Sequence, residues 1–148
     1  MAKKEPNKAQ EYLKQVKLFD IHINSRLEEL AQLKAMSTKT TSAWSMEPGG
    51  GSGNQDKLGN IVSKIVDMQR EINKDIDAFV DKKAEVRELI ERIKNPDQLK
   101  LLYMVYFQYQ TLEQASCELG YSYRNVCYIH GKALQEVERL LLARQSFH

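Results

Sequence analysis

Several features are scarce or missing in this chain of 148 residues, and each shortfall excludes a class of protein. No stretch offers the ~18 uninterrupted apolar residues that a membrane-spanning helix requires, so no membrane partner is expected. Cysteine occurs only at Cys117 and Cys127, too few for a disulfide framework; reduced thiols in a cytoplasm are the simplest reading. Histidine occurs three times, once at the terminus, and no set of nucleophile, base and orienting group emerges, so catalysis is not expected. The stretch from Met1 to Gln10 is basic and polar, without the apolar core of a secretory signal. A large excess of one charge is also missing: the formal net charge is +2, which alone points to no partner. What remains is a soluble, cytoplasmic chain, 42% hydrophobic and 28% charged, long enough for one domain or for a small domain with an elongated appendage.

What the chain does have is helical periodicity. Tyr12, Val16, Phe19, Ile23, Leu30 and Leu33 recur at steps of three and four residues, with Arg26 at the one polar position and Leu27 beside it. Such a stripe must be buried against a partner. It predicts a first helix within residues 1–36, where Pro6 is tolerated in or before the first turn. A second helix is predicted within 57–95. Its stripe reads Leu58, Ile61, Ile65, Met68, Ile72, Phe79, Val86 and Ile93, flanked by Ile76, Val80, Leu89 and Ile90. Asp75 and Lys82 interrupt the repeat, so the stripe broadens. Residues 37–56 read as a flexible loop, because Pro48 is followed by Gly49, Gly50, Gly51, Ser52 and Gly53. A phosphate-binding loop would need a preceding strand and a following Gly-Lys-Ser/Thr, and neither is present. Trp44 either caps the hairpin end or meets a partner. The simplest arrangement is a long antiparallel, coiled-coil-like hairpin, although pairing between chains would satisfy the same stripes.

Asn95-Pro96-Asp97 closes the second helix, since proline cannot continue the hydrogen-bond ladder. The same residues open another helix, with Asn95 as cap and Pro96 in first position. Residues 96–148 therefore read as a small C-terminal domain of three helical stretches. The second stretch begins at Thr111, with Gln114 three residues on as a capping box, and stops at Leu119-Gly120. The third begins after Tyr121 with Ser122 as cap and reaches about Leu142. Ala115, Leu119, Tyr121, Val126 and Ile129 fall where a helix-turn-helix needs small or apolar residues; Gly120 takes the turn and Ser116 the place usually held by alanine. The fold class is thus all-α, a hairpin followed by a helix-turn-helix.

With those positions inward, Ser122, Tyr123, Arg124, Asn125, Cys127 and Tyr128 project from the start of the third helix. Arginine and asparagine suit guanine and adenine edges, and serine at a helix start suits phosphate. Lys132 is either a phosphate contact or a solvated charge. Arg124 reads as a DNA contact, with pairing to Glu118 as the plainer alternative. From Asn95 onward, five basic residues (Lys100, Arg124, Lys132, Arg139, Arg144) balance five acidic ones (Asp97, Glu113, Glu118, Glu136, Glu138). No acid falls between Leu119 and Gln135, however, so any positive face is local. Cys117, Cys127 and His130 lack a fourth ligand nearby, so no metal and no cofactor are expected; His130 reads as a neighbour of the inter-helix core.

The segment from Leu101 to Leu142, including Thr111-Leu112-Glu113-Gln114 and Leu119-Gly120-Tyr121-Ser122, resembles the fourth region of bacterial sigma factors. The wider chain resembles small phage-encoded proteins related to the ArpU and RinA late-gene transcriptional regulators. The residues that carry this are Tyr12-Leu13-Lys14-Gln15-Val16-Lys17-Leu18, Gly59-Asn60-Ile61-Val62-Ser63-Lys64-Ile65-Val66-Asp67, Gly120-Tyr121-Ser122-Tyr123-Arg124 and His130-Gly131-Lys132-Ala133-Leu134. The resemblance implies a sequence-specific transcription regulator of phages or prophages in the cytoplasm of a bacterial host, with host RNA polymerase as a further partner.

A single helix-turn-helix of neutral net charge should bind DNA weakly, because non-specific affinity comes chiefly from phosphate neutralisation. A homodimer or higher oligomer, engaging repeated half-sites on double-stranded DNA, is therefore expected, with the hairpin as its association surface. Two alternatives use the same parts: a phage DNA-packaging subunit that recognises DNA ends, and a sigma-mimicking protein that binds RNA polymerase without reading DNA.

Overall fold

The computed structural model describes residues 7–46 and 52–145, and every regular element among them is helical. In chain order these are α1 (Lys8–Met46), α2 (Ser52–Ile90), α3 (Pro96–Leu102), a π-helical turn (Tyr103–Phe107), α4 (Leu112–Leu119) and α5 (Tyr123–Gln145). The all-α class and the helical hairpin expected from the repeats are both present. The glycines from Gly49 to Gly51 and the side chain of Trp44 lie outside the described residues.

Helix α1 runs ten residues past the end expected at 36, and α2 begins at Ser52, so most of the predicted loop is helical. Threonine and serine cost only a few tenths of a kcal/mol each in a helix, and nothing between Ser37 and Met46 is proline or glycine. The hydroxyl of Thr38 also donates back to the carbonyl of Lys34 at 3.1 Å, which satisfies it within the helix. At its other end α2 stops at Ile90 rather than Lys94. Its last carbonyls are taken by tight i to i+3 bonds, Arg92 N to Leu89 O at 3.2 Å and Ile93 N to Ile90 O at 2.9 Å, ahead of Pro96.

The chain divides into two compact units, one of Phe19–Ala78 and one that combines Met1–Leu18 with Phe79–His148. Within the second unit Asn95-Pro96 opens α3, with residues 91–94 between it and the last residue of α2.

In the unit of residues 19–78, Ile23 and Leu30 of α1 and Ile61 and Ile72 of α2 are buried, as their stripes require. The polar interruptions of the two stripes meet each other. Arg26 forms an ion pair with Glu71, and His22 Nε2, four residues earlier, stands 3.3 Å from Asp75 Oδ2, four residues later. Opposite steps along the two helices make the pairing antiparallel and within one chain. Arg26 Nε donates to His22 Nε2 at 3.0 Å and lies 3.2 Å from Asp75 Oδ2. That carboxylate oxygen is buried beside charge but receives no aligned hydrogen bond.

In the other unit the base of the hairpin and the C-terminal half of α5 share one core. Ala9, Leu13 and Val16 cluster with Val86, Leu89, Ile90, Leu102, Tyr106, Ala133, Leu134, Val137 and Leu140. Leu13 and Ile90 are wholly buried although neither lies on the seven-residue stripe of its helix. A third helix covers them, which widens the buried face beyond what two helices need. Burying each such side chain contributes roughly 1.5–3 kcal/mol. A polar clamp closes the same junction. Glu85 accepts from the Tyr12 hydroxyl at 2.7 Å, from Lys82 Nζ at 3.0 Å and from Arg144 at 3.3 Å. Partial burial works against the Glu85 charge, but these three donors outweigh it and hold the carboxyl down at about 2. Burial and the neighbouring Glu85 push Tyr12 up to about 12, so its hydroxyl stays a donor.

Candidate nucleic-acid interface

The residues from Pro96 to about His130 build a small tri-helical scaffold from local signals. The side chain of Asn95 accepts from the amides of Asp97 at 3.0 Å and Gln98 at 3.2 Å, which caps α3. Helix α3 relaxes into the π turn, closed by Gln108 N to Tyr103 O at 3.0 Å. Tyr109 then takes a left-handed conformation, φ 60°, that turns the chain towards α4. The capping box of α4 is complete. Gln114 N donates to Thr111 Oγ1 at 3.1 Å, and Thr111 N donates to Gln114 Oε1 at 2.9 Å. Gly120 ends α4 at φ 73°, with its amide and that of Tyr121 returning to Ser116 O. Ser122 Oγ then accepts from Asn125 N at 3.1 Å and starts α5.

A compact core holds these helices together. Leu101, Met104, Ala115 and Val126 are buried, with Leu112, Leu119 and Ile129 packed around them. Ser116 is buried as well, its hydroxyl donating to Glu113 O at 2.7 Å, so it fills the alanine position without an unsatisfied group. Tyr121 departs from expectation: it is exposed at the rim, where its hydroxyl donates to Asp97 at 3.3 Å. The rim position follows from the polar end of the ring, which bonds across to α3 instead of entering the core.

The expected interface residues do not all project alike. Ser122, Tyr123, Arg124, Asn125, Tyr128 and Lys132 are exposed. Cys127 is half-buried on the same turns of α5. The Ser122 hydroxyl is committed to its cap. Among the described residues Arg124 has no ion pair, and Glu118 instead accepts from Gln110 at 2.8 Å. The plainer pairing of Arg124 with Glu118 is therefore not made.

Arg124, Tyr128 and Lys132 stand four residues apart and share one face of α5. The Lys132 ammonium lies over the Tyr128 ring, 5.6 Å from its centroid. A flat aromatic surface thus sits between two cations on an acid-free stretch of helix. Behind this face, His130 is half-buried and shares a 2.7 Å hydrogen bond with Tyr106, their rings stacked at 5.8 Å. Burial, with Lys14 nearby, lowers the affinity of His130 for a proton, and burial pushes Tyr106 up to about 12. Both rings are therefore neutral near pH 7, a structural pair beside the inter-helix core. The place of His130 is the one its sequence position predicts; Tyr106 lies 24 residues away, with no local pattern to announce it.

Elsewhere in this unit, a groove of about 340 Å³ is lined by Tyr12, Lys82, Glu85, Leu141, Arg144 and Gln145. Its charged groups are committed to one another in the clamp described above. Among the described residues no group of three His, Cys, Asp or Glu side chains could hold a metal ion, and no helix is long and apolar enough to cross a membrane.

Comparison with known proteins finds one family. A model described as a protein of unknown function, DUF1492, matches residues 37–138, which takes in α2 to α4 and most of α5. No curated protein and no solved structure matches.

Proposed function

The chain belongs to the DUF1492 family, and we propose that it is a sequence-specific DNA-binding transcriptional regulator that reads the major groove with the opening turns of α5. One observation carries this reading: the exposed, acid-free face of Arg124, Tyr128 and Lys132 on a helix entered through a capped α4, a left-handed glycine and a serine cap. In this role Arg124 addresses the N7 and O6 edge of guanine and Asn125 an adenine edge. Lys132 and the free amides at the start of α5 grip phosphate, and Tyr123 and Tyr128 lie against sugar. The hairpin supplies self-association, so that two weak half-site contacts add. The likeness to ArpU and RinA regulators makes phage or prophage late genes the regulated set, with the bacterial cytoplasm as the compartment.

A second reading is favoured by the neutral balance of residues 95–148 and by three exposed tyrosines, Tyr121, Tyr123 and Tyr128. Neutral, aromatic-rich surfaces suit protein partners, and the sigma-like pattern makes RNA polymerase that partner. The deciding experiment is a genome-wide DNA-binding selection with the wild-type chain and Arg124→Ala in parallel. Enrichment of one short sequence that Arg124→Ala loses is expected. If neither protein enriches any sequence at low salt while polymerase is still captured, direct DNA reading is wrong.

A further inference from the structure

Helix α2 carries a second stripe beside the one that pairs with α1. Val62, Val66, Gln69, Asn73, Ile76 and Val80 recur at alternating steps of four and three residues, the spacing of a coiled-coil seam. All six are exposed, and the four apolar members remain between 37% and 58% accessible. On the flanking face of α1, Leu27 is exposed at the equivalent place in the repeat. Among the described residues neither amide side chain of the stripe has a hydrogen-bond partner. The opposite flank is charged and already paired through His22, Arg26, Glu71 and Asp75. One flank of the hairpin is therefore satisfied, and the other is apolar and open.

The order of residues along the open stripe is complementary to a second copy of itself. A two-fold axis at residue 71 lays Val62 against Val80 of a second copy, Val66 against Ile76, and Gln69 against Asn73. Apolar meets apolar at the four outer positions, and two amides with complementary donors and acceptors meet at the centre. A parallel pairing in register would set each residue against itself and would keep Val66 and Ile76 apart, which is the contact the test below reads. Self-complementarity under a two-fold axis is the mark of an isologous interface, and a polar layer within an apolar seam fixes register and orientation.

We propose that α2 pairs antiparallel with α2 of a second copy of this chain through Val62, Val66, Gln69, Asn73, Ile76 and Val80. This deepens the reading of the hairpin as the self-association element and rests on it. The seam is one helix against one helix over about 27 Å, at ~1.5 Å per residue. Such a short seam offers less than the ~1,200 Å² or more of surface that most stable specific interfaces bury, so it needs help from a second contact. The dimer is accordingly weak in solution, with association in the micromolar range, and two bound half-sites strengthen it.

The test uses full-length protein without DNA, so that its failure is separate from failure of DNA reading. Sedimentation equilibrium would be run on wild type, Val66→Glu, Ile76→Lys and the double variant Val66→Glu/Ile76→Lys. Far-UV circular dichroism checks that helicity is kept, as it should be for exposed positions. Each single change sets a charge against an apolar side chain of the other copy and should weaken association about tenfold or more. The double variant brings a new carboxylate beside a new ammonium across the two-fold axis and should restore it. A strictly monomeric wild type, or single variants that associate like wild type, would overturn the proposal. A double variant as weak as the singles would overturn the antiparallel register. A wild-type dimer that enriches no DNA sequence would leave this interface standing and remove the DNA reading.

Discussion

Val126 lies one turn into α5, wholly buried in a cluster with Leu101, Met104 and Ala115. Truncation to alanine removes two carbons, a transfer loss of ~1.6 kcal/mol at ~0.8 kcal/mol per group. Some of the vacated space persists, because Leu101 and Met104 are held by their own helical turns, so the total loss is about 2–2.5 kcal/mol. Val137 is equally buried on the same helix but belongs to the core at the hairpin base, which makes Val137→Ala a matched control. Both variants should lose similar global stability in urea unfolding followed by circular dichroism. Native-state hydrogen exchange separates them: Val126→Ala should raise exchange in residues 112–130, whereas Val137→Ala should leave those amides protected and loosen residues 86–90. A loss below ~0.5 kcal/mol for Val126→Ala would refute the packing argument, since surface changes fall in that range. The same exchange pattern in both variants would refute the division into two cores.

Other perturbations follow from single contacts. Gly120→Ala should cost about 1 kcal/mol, measured by urea denaturation, because φ 73° is a left-handed conformation while a Cβ there meets nothing within 4 Å. Gly120→Asn should cost less, since asparagine tolerates that region; equal losses would point to a steric cause instead. Arg26→Leu alone should lower the melting temperature by leaving the buried Asp75 oxygen without its counter-charge. The double change Arg26→Leu/Asp75→Leu should recover or exceed wild-type stability, and failure to do so would mean that this polar layer is net stabilising. His130 binds a proton less readily in the fold than its ordinary value of 6.5, chiefly through burial. The unfolded chain thus takes up the proton first, so stability is full above about 6.5 and falls as pH drops through that value towards the lower folded one. His130→Gln should flatten that part of the stability–pH curve, read from urea midpoints between pH 7 and pH 5. An unchanged slope would assign it to another group.

The caps were legible residue by residue. Asn95, Thr111 with Gln114, Gly120 and Ser122 all perform the roles their identities predict, because each acts on backbone groups within four residues of itself. The buried positions Val16, Ile23, Leu30, Ile61, Ile72 and Val86 were equally legible, since helical spacing alone assigns them to one face. The end of α1 was not, because a run of serine and threonine weakens a helix without forbidding it. Nor was the exposed Tyr121, whose place depends on a hydroxyl bond to Asp97 24 residues away.

Local chemistry in the chain thus settles where most helices start and stop and which stripe of each is apolar, since those energies act between neighbours along the backbone. It does not say which apolar residues beyond the stripe are covered. Leu89 and Ile90 are buried, whereas Ile76 and Val80, which flank the same stripe of α2, are exposed. The difference is the C-terminal half of α5, which packs at the hairpin base and is locked there by Tyr12, Glu85 and Arg144. Tyr12 and Arg144 stand 132 residues apart, and no periodicity links them. Their meeting depends on three helices sharing one core, and so does the choice of which apolar flank is left open for another molecule.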